Sequence, residues 1–317
     1  MAYIDTLDHV PRVLLIQNPA AGQLQLKTNM YDIVSIFAKK GCVPTTLITS
    51  KQGDAAEFVK RYADTHDIVV CCGGDGTLNE TITGMMPLER RIPIGFIPCG
   101  TTNDMARTLG VPTGNVKKAA HAILDGYNVH QDVGRFCRDN AENQRFFTYV
   151  ASFGAFTKVS YATPRWKKHI FGHMAYIMDA IPAISEIRPI KLRVQCDQLD
   201  EEGEFAFGSI TNSTSIAGVL RLDGEKVSLN DGKFEVMLIR HPKTAADLHK
   251  IVEALTQQKF VAPNADKERP MVEFFHTDRI TVTSETPISW TLDGEFGGEC
   301  KIAKIKNLHG AVEILKK

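Results

Sequence analysis

The first 130 residues alternate short β-branched runs with segments of helical periodicity, and this alternation constrains the fold more than any other feature of the chain. The predicted strands are Arg12–Gln17, Thr45–Thr49, Asp67–Cys72 and Ile92–Ile97. Repeated β-loop-α units form parallel sheets with helices on both faces. We therefore expect the chain to be an α/β protein whose N-terminal domain is a doubly wound parallel sheet.

After about Asp132 the pattern changes to strand-like alternation interrupted by turn signals. The predicted strands are Phe146–Ala151, Ile190–Cys196, Glu204–Thr211, Lys233–Ile239, Arg279–Thr283 and Ile288–Leu292, and the predicted helical inserts are His173–Glu186 and Ala245–Leu255. Such a series is typical of a mostly antiparallel β-sandwich. A last strand, Val312–Leu315, fits either domain by its pattern. We assign residues 1–132 and 305–317 to the α/β domain and residues 133–304 to the β-rich domain.

Three strand-to-helix junctions of the first domain are built from glycine and small polar residues. They are Asn18–Gly22, Gly73–Thr77 and Gly100–Asp104. In a parallel sheet all such junctions lie at the carboxyl edge of the strands, where ligands bind. Small residues let backbone N–H groups approach a phosphate, and helix N-termini favour negative charge. Turn chemistry alone explains one such junction, but three together favour a phosphate-binding edge.

The second junction places an acid, Asp75, inside the glycine turn. The sequence contains neither GxxxxGK[ST] nor GxGxxG, and it has no GxSxG or HExxH motif that would indicate a hydrolase. A carboxylate that faces a polyphosphate is favourable when Mg²⁺ lies between them. We also predict a helix over Thr77–Met85 that begins with a capping box between Thr77 and Glu80.

The segments Gly73–Glu80 and Ile97–Asp104, in this order, resemble the catalytic domain of the diacylglycerol kinase family. Further matching blocks are Asn18–Pro19, Gly53–Ala55, Leu229–Gly232 and Leu292–Glu295, so the resemblance covers nearly the whole chain. It is most similar to the soluble bacterial diacylglycerol kinases, within a fold group that also contains NAD kinases, sphingosine kinases and 6-phosphofructokinases.

The resemblance implies an ATP-dependent kinase that phosphorylates the free hydroxyl of diacylglycerol to give phosphatidic acid. It implies that the nucleotide is held by Asn18, Pro19, Ala20, Ala21, Gly22, Thr49, Gly73, Gly74, Asp75, Gly76, Thr77, Leu78, Asn79 and Thr101. Asp75 would also stand near the catalytic Mg²⁺. Asp104 and Arg107, with Asp132, would form a charge network between the domains. Glu295 would be the general base, since an alcohol is a weak nucleophile that needs a carboxylate within hydrogen-bond reach.

A second, structural Mg²⁺ is implied around Asp231. Its ligands would be the Asp231 side chain and the carbonyl groups of Ser228 and Lys233. The same Asn-Asp-Gly sequence also favours a plain hairpin turn without an ion. Both interpretations stay open at the level of the sequence.

Two departures from the family pattern affect the site. Gln23 stands where the family often has a lysine, and we hypothesise that Lys27 supplies the missing charge. Leu-Asp-Gly-Glu occurs twice, at 222–225 and 292–295. The order of the blocks and the Phe-Gly-Gly that follows favour the second copy as the catalytic one, which leaves Glu225 as a turn acid.

The chain has 37 Lys+Arg and 37 Asp+Glu, a balance that argues against nucleic acid as a partner. The charges are unevenly distributed, because seven Lys/Arg and two acids lie between Lys158 and Arg193, around Trp166, whereas residues 194–235 hold three Lys/Arg and nine acids. Basic residues beside an interfacial Trp suit an anionic membrane surface, where a lipid substrate would be found. A solvated loop or an oligomer contact, such as a homodimer, is the alternative.

The N-terminal segment has no signal-peptide pattern, and no run reaches the roughly 18 apolar residues of a membrane span. The seven cysteines form no CxxC pair. We therefore expect a cytoplasmic protein that associates peripherally with a membrane. A kinase of phosphatidylglycerol or of a sphingoid base, an NAD kinase, and a non-catalytic nucleotide-binding lipid carrier are the alternative functions.

Overall fold

The structure, a computed structural model, describes residues 1–21, 25–100, 103–139, 142, 144–154, 188–213, 215–216, 220–221, 228–258, 260–262 and 269–317. Two compact units are present: residues Met1–Val133 with His309–Lys317 form the first, and Gly134–Leu308 the second. Several predictions of the sequence lie outside the described residues, namely those on Gly22, Gln23, the side chain of Lys27, Thr101, Glu225, the helix His173–Glu186 and the basic residues of segment 158–187.

The first unit contains alternating strands and helices. Its strands are β1 (Arg12–Gln17), β2 (Val43–Ile48), β3 (Ile68–Gly73) and β4 (Ile94–Pro98), and its helices are α1 (Gln25–Lys39), α2 (Asp54–Tyr62), α3 (Asp75–Met85), α4 (Asp104–Leu109) and α5 (Val116–Leu124). The chain leaves the unit within β5 (Tyr127–Arg138) and returns to it within β15 (Glu295–Lys316).

The sheet of the first unit is parallel, with the strand order β2-β1-β3-β4-β15. Every residue of β3 and β4 is buried, which explains why these strands read as continuous apolar runs. The end of β15 completes the sheet, because Ile314 pairs with Ile94 of β4. The predicted last strand therefore belongs, in this stretch, to the first unit.

Helices pack around this sheet. Phe37 of α1 and Ile123 of α5 share a core cluster with Val70 of β3. Helices α2 and α3 pack on each other where Gly84 of α3 approaches Ala56 of α2, and a Cβ atom on Gly84 would lie only 2.5 Å from the Ala56 carbonyl oxygen. Among the described helices none is long and apolar enough to cross a membrane.

The predicted start of α3 at Thr77, with a capping box to Glu80, is wrong. The helix begins at Asp75, and its N-cap is Gly74 in an extended conformation. The Glu80 carboxylate instead accepts hydrogen bonds from the N–H groups of Gly53 (2.8 Å) and Ala55 (3.3 Å) at the start of α2. Backbone N–H groups at a helix N-terminus have no intrahelical partner. Glu80 supplies such a partner to the start of α2, although the local sequence pattern had predicted that it would cap α3.

The second unit is mostly strand. Its remaining strands are β6 (Gln144–Phe147), β7 (Val150–Gly154), β8 (Ile190–Cys196), β9 (Leu199–Thr211), β10 (Ser215–Ile216), β11 (Leu220–Arg221), β12 (Phe234–Arg240), β13 (Val272–Thr277) and β14 (Arg279–Leu292), and its described helix is α6 (Ala245–Gln257). Strand β5 pairs with β6, and β14 pairs with β15, all antiparallel.

Strands β7 and β8 share the same two partners, β9 and β14. In β14, residues 281–284 pair with β8 and residues 290–292 pair with β7. The sheet therefore folds over on itself, as in a β-sandwich, around an aromatic core. Trp290 is central to that core, with its ring 5.0 Å from Phe153 and 5.1 Å from Phe136. The expected α/β fold with a C-terminal β-sandwich-like part is confirmed.

Some strand boundaries differ from the predictions. The predicted strand Phe146–Ala151 is two strands, β6 and β7. The break falls where the N–H groups of Thr148 and Tyr149 donate to the Asp293 side chain instead of to a neighbouring strand. Strands β5 and β13 were not predicted, and β14 is one strand where two were expected.

Candidate active site

The described parts of the three junctions, residues 18–21, 73–77, 100 and 103–104, lie at the carboxyl edge of the parallel sheet, as expected from the strand order. The second and third junctions are in direct contact, because the Cys99 N–H donates to the Gly73 carbonyl at 2.7 Å. A Cβ atom on Gly100 would lie 2.8 Å from Gly74 Cα. Glycine is therefore required at position 100 by the close approach of two backbones, and no Cβ atom stands between Gly74 and Gly100.

Asn18 links the first junction to the second. Its Nδ2 donates to Thr77 Oγ1 at 2.9 Å, and its Oδ1 accepts the Ala20 N–H at 3.0 Å. The Asn18 N–H donates to the Cys72 carbonyl at 2.9 Å. These bonds fix the Asn-Pro turn relative to the first turn of α3, so two of the predicted nucleotide-binding segments are held as one rigid edge.

Asp75 links the second junction to the third. Its two carboxylate oxygens accept the N–H groups of Asp104 and Met105, each at 3.1 Å, at the start of α4. The carboxylate thus caps α4 from outside the helix. Carboxylate oxygens are ligands that Mg²⁺ prefers in proteins, so the side chain is of the right chemical type for a Mg²⁺ ligand as well as holding α4 in place.

The third junction is shaped by Asn103, which has a left-handed backbone conformation (φ 48°). Its Nδ2 donates to the Gly100 carbonyl at 2.7 Å, and its buried Oδ1 has no hydrogen-bond partner within the described ranges. Arg107 pairs with Asp104 at 3.3 Å on the exposed side of α4. Asp132 accepts the Gly310 N–H at 2.7 Å.

Thr49 follows β2 at the same edge and is buried. Its N–H donates to the Gln17 carbonyl at 2.9 Å. The loop after it is ordered by Asp54, whose carboxylate accepts the N–H and hydroxyl of Ser50 at 2.7 and 2.8 Å. The backbone hydrogen bond from Ser50 is the main reason why the pKa of Asp54 lies below its ordinary value. Asp54 and Glu80 therefore order the backbone between β2 and α2 by accepting its N–H groups. The sequence analysis had assigned neither residue a role at the site.

In the second unit, the turn between β14 and β15 carries the candidate base. Asp293 (φ 49°) and Gly294 (φ 83°) form the turn, and Glu295 is exposed as the first residue of β15. Asp293 accepts the N–H groups of Thr148, Tyr149 and Val150 at 2.7–3.0 Å and the Thr148 hydroxyl at 2.9 Å. Burial raises the pKa of Asp293, and these hydrogen bonds oppose the shift.

The role of Asp293 was missed by sequence reasoning, which gave only Glu295 a function in this motif. Its carboxylate anchors the turn to the β6–β7 connection, so the direction in which Glu295 leaves the turn is fixed by the fold. The Asp-Gly pair before Glu295 was the available signal, because a left-handed turn needs these residue types.

The Asp231 loop has the geometry of a side-chain-stabilised turn. The Lys233 N–H donates to Asp231 Oδ1 at 3.0 Å, and Ser228 Oγ donates to Asn230 Oδ1 at 3.2 Å. In the described part of the chain no group of three or more His, Cys, Asp or Glu side chains is placed to hold a metal. An ion here would therefore depend on one carboxylate together with carbonyl and water oxygens, a donor set that suits Mg²⁺.

Two family models match the chain. The model of the diacylglycerol kinase catalytic domain matches residues 12–136, and that of the YegS C-terminal NAD kinase beta sandwich-like domain matches residues 150–316. The second match alone spans more than half of the 317 residues. The chain therefore belongs to the family that this second model defines, and it carries a diacylglycerol kinase catalytic domain in its first part.

Individual relatives agree with this assignment. A diacylglycerol kinase of Bacillus subtilis (strain 168) is 29% identical over 288 residues, which cover 90% of each chain. A diacylglycerol kinase of Staphylococcus aureus (strain MRSA252) is 29% identical over 304 residues, covering 96% of this chain and 91% of the relative.

Solved structures share the fold over nearly the whole length. The crystal structure of a diacylglycerol kinase from Bacillus anthracis str. Sterne has a TM-score of 0.72 at 24% identity and covers 97% of both chains. A second crystal structure from the same strain has a TM-score of 0.77 at 25% identity, covering 97% of this chain and 95% of the other.

Proposed function

We propose that this protein is an ATP-dependent kinase that transfers the γ-phosphoryl group to the free hydroxyl of diacylglycerol and releases phosphatidic acid. The observation that carries the proposal is the Asp293–Glu295 turn, in which four hydrogen bonds hold Asp293 and Glu295 is left exposed. An accessible carboxylate carried on an anchored turn can come within hydrogen-bond reach of an alcohol, which is what a general base requires.

The nucleotide would bind at the edge formed by the three junctions. We propose that Asn18 to Gly22, Thr49, Gly73 to Asn79 and Thr101 hold it. The close approach of Gly74 and Gly100 keeps Cβ atoms away from the start of α3, and the first backbone N–H groups of a helix have no intrahelical partner and favour phosphate oxygens. Thr77 and Asn18, already joined to each other, supply neutral polar groups beside them.

The transfer itself can be written with the groups that the chain supplies. Glu295 accepts the proton of the lipid hydroxyl while the oxygen of that hydroxyl forms a bond to the γ-phosphorus. At the same time the bond between the γ-phosphorus and the β–γ bridging oxygen breaks. ADP leaves with the electron pair. The protein's contribution is positioning and electrostatic stabilisation. Asp104 and Arg107 form an ion pair on α4. Because the Asp104 N–H donates to the Asp75 carboxylate, a stable α4 would keep Asp75 in place.

Mg²⁺ would be held by Asp75 near the phosphates and, as a separate structural ion, by Asp231 with the carbonyl groups of Ser228 and Lys233. The ion beside Asp75 would neutralise charge on the β- and γ-phosphate oxygens. Both proposals are supported by the oxygen-only donor sets described above. The Asp231 turn is also stable through its own hydrogen bond, so an ion there would add to a preformed loop.

The acceptor is tested with a panel of lipids. Purified protein is given [γ-³²P]ATP, Mg²⁺ and mixed micelles that contain diacylglycerol, phosphatidylglycerol or a sphingoid base, with NAD in a parallel reaction without lipid. We expect transfer to diacylglycerol to be the fastest by at least about tenfold, one decade for each 1.4 kcal/mol of transition-state discrimination. Fastest transfer to another acceptor would reassign the substrate, and nucleotide binding without any transfer would support a non-catalytic carrier.

We also propose a cytoplasmic location with peripheral docking on anionic membranes through the basic segment 158–193. Of its described cations, Arg188 and Lys191 are exposed, whereas Arg193 is bonded to Asp200 at 2.9 and 3.0 Å. We expect sedimentation with vesicles of phosphatidylglycerol but not of phosphatidylcholine, and loss of binding as salt rises toward about 1 M, where the Debye length is about 3 Å. Salt-independent binding would contradict this mode of docking, and a homodimer through the segment stays the competing proposal.

A further inference from the structure

The turn that carries the candidate base is followed by an irregular pairing of β14 with β15. Thr291 of β14 pairs with Phe296 of β15. The preceding residue of β14, Trp290, pairs with Gly298, so one residue of β15 is extra, as in a β-bulge. A bulge interrupts the ladder of hydrogen bonds and re-aims the side chains beside it. Pairing with β14 alone therefore does not fix the position of Glu295.

Side-chain packing anchors the backbone after Glu295 only weakly. Phe296 is 55% exposed, and the two residues that follow it are glycines. Gly298 has φ 97° and lies against the Arg138 guanidinium, which a Cβ atom at this position would overlap. Glycine permits the bulge but has no side chain with which to hold it. The position of this backbone therefore depends largely on hydrogen bonds from neighbouring segments.

Arg145 of β6 supplies such a hydrogen bond. Its Nη1 donates to the Phe296 carbonyl oxygen at 2.7 Å, across 151 residues of the chain. This distance is at the short end of the range for a charged donor, and such bonds are about twice as strong as neutral ones. The carbonyl belongs to the residue directly after Glu295, so the guanidinium holds the backbone that carries the base.

Arg145 reaches this carbonyl from the edge of the aromatic core. It pairs with Phe136 of β5 and therefore lies on the same face of that strand pair. The Phe136 ring is 5.1 Å from the ring of Trp290, the residue of β14 that pairs with Gly298. Core packing thus brings the β5–β6 pair next to the bulge, within reach of a long side chain.

The base is consequently held on both sides from one part of the chain. Asp293, two residues before Glu295, accepts the N–H groups of Thr148–Val150. Phe296, one residue after Glu295, is held through its carbonyl by Arg145. Both contacts come from β6 and the connection that follows it. A shift of the base relative to this connection would break hydrogen bonds on both sides of the turn.

We infer that Arg145 is a positioning residue for Glu295, because its bond to the Phe296 carbonyl keeps the carboxylate where it meets the acceptor hydroxyl. The inference rests on the proposed function, since the residue acts through the general base. Its role is exerted through the backbone and needs no contact with the substrate. A displacement of reacting groups by about 1 Å can cost about 10²-fold in rate, so loss of this anchor should affect turnover.

The test is the replacement Arg145→Met, which keeps a long side chain and removes the donors. We expect kcat for transfer from ATP to diacylglycerol to fall by about tenfold to a hundredfold. The affinity for a non-hydrolysable ATP analogue should stay unchanged, because the proposed nucleotide edge belongs to the first unit. Arg145→Lys keeps one charged donor and should stay within about threefold of the unaltered protein.

A double variant separates positioning of the base from a general structural effect. If Arg145 acts through Glu295, adding Arg145→Met to Glu295→Gln should change the remaining rate by less than about twofold. Losses that multiply would overturn the inference, as would full turnover in Arg145→Met or an equal loss in Arg145→Lys. Should Arg145→Met not fold, Arg145→Gln takes its place in the same comparison.

Gln198→Met is the matched control. Gln198 also donates to a backbone carbonyl of a distant strand, that of His276 in β13, at 2.6 Å. The variant removes the same kind of hydrogen bond away from the Glu295 turn, and it should leave kcat unchanged. Absence of lipid phosphorylation by the unaltered protein, or full turnover in Glu295→Gln, would overturn the proposed function as well as the inference.

Discussion

Replacement of Glu295 by Gln is expected to lower kcat for lipid phosphorylation by about 10²–10⁴-fold, the usual contribution of a general base. Gln keeps the size and the hydrogen-bonding reach of Glu but cannot accept a proton at neutral pH. The turn itself is held by Asp293 through Thr148, Tyr149 and Val150, so the variant should fold normally. The measurement is the initial rate of transfer to diacylglycerol together with the melting temperature.

Two controls separate this role from a general effect of charge. Glu299→Gln removes an exposed carboxylate of the same strand, one bonded to Ser289 at 2.7 Å, and it should retain near-normal turnover. Glu225→Gln removes the acid of the other Leu-Asp-Gly-Glu copy and should do the same. Loss of turnover in Glu225→Gln with retention of turnover in Glu295→Gln would show that Glu225 is the base and that our assignment of Glu295 is wrong.

Replacement of Asp75 by Asn is expected to be nearly as damaging, at about 10²-fold or more in kcat/KM, because charge stabilisation at the transferring phosphoryl group is worth several kcal/mol. We also expect the Mg²⁺ concentration that gives half-maximal binding of a non-hydrolysable ATP analogue to rise by about tenfold or more. This binding readout does not depend on turnover. It distinguishes an ion-related role of the carboxylate from its bonds to Asp104 and Met105.

The structural part of the Asp75 effect has its own control. Asn115 caps α5 by accepting the Lys118 N–H at 3.0 Å, so Asn115→Ala should cost about 1 kcal/mol of stability, similar to the loss of a helix cap in general. We expect a comparable fall in melting temperature for the two variants but a change in Mg²⁺ dependence only for Asp75→Asn. An unchanged Mg²⁺ dependence in Asp75→Asn would reduce Asp75 to a helix cap.

Features that depend on short-range patterns could be predicted from the sequence. The buried parallel strands β3 and β4 follow from continuous apolar runs, and the glycine junctions follow from residues that sit between such runs and helical periodicity. Their meeting at one edge needs only the rule that parallel strands end together. The expectation of a mixed α/β chain with a β-sandwich-like C-terminal part was confirmed for these reasons.

Features that depend on distant partners could not be predicted in this way. Glu80 fits a local capping box, but its carboxylate bonds Gly53 and Ala55 about 25 residues earlier. Asp293 bonds Thr148 across 145 residues, and that contact ends β6 and starts β7. No local window contains both partners of such a contact.

The long strand β15 has a consequence for synthesis and folding. The sheet of the first unit contains a strand, ending at Lys316, that follows the whole second unit in the chain. While a ribosome is still producing residues 134–308, β4 has an edge with unpaired N–H and C=O groups at Ile94 and Gly95. The N-terminal unit therefore cannot complete its native pairing co-translationally as an independent domain.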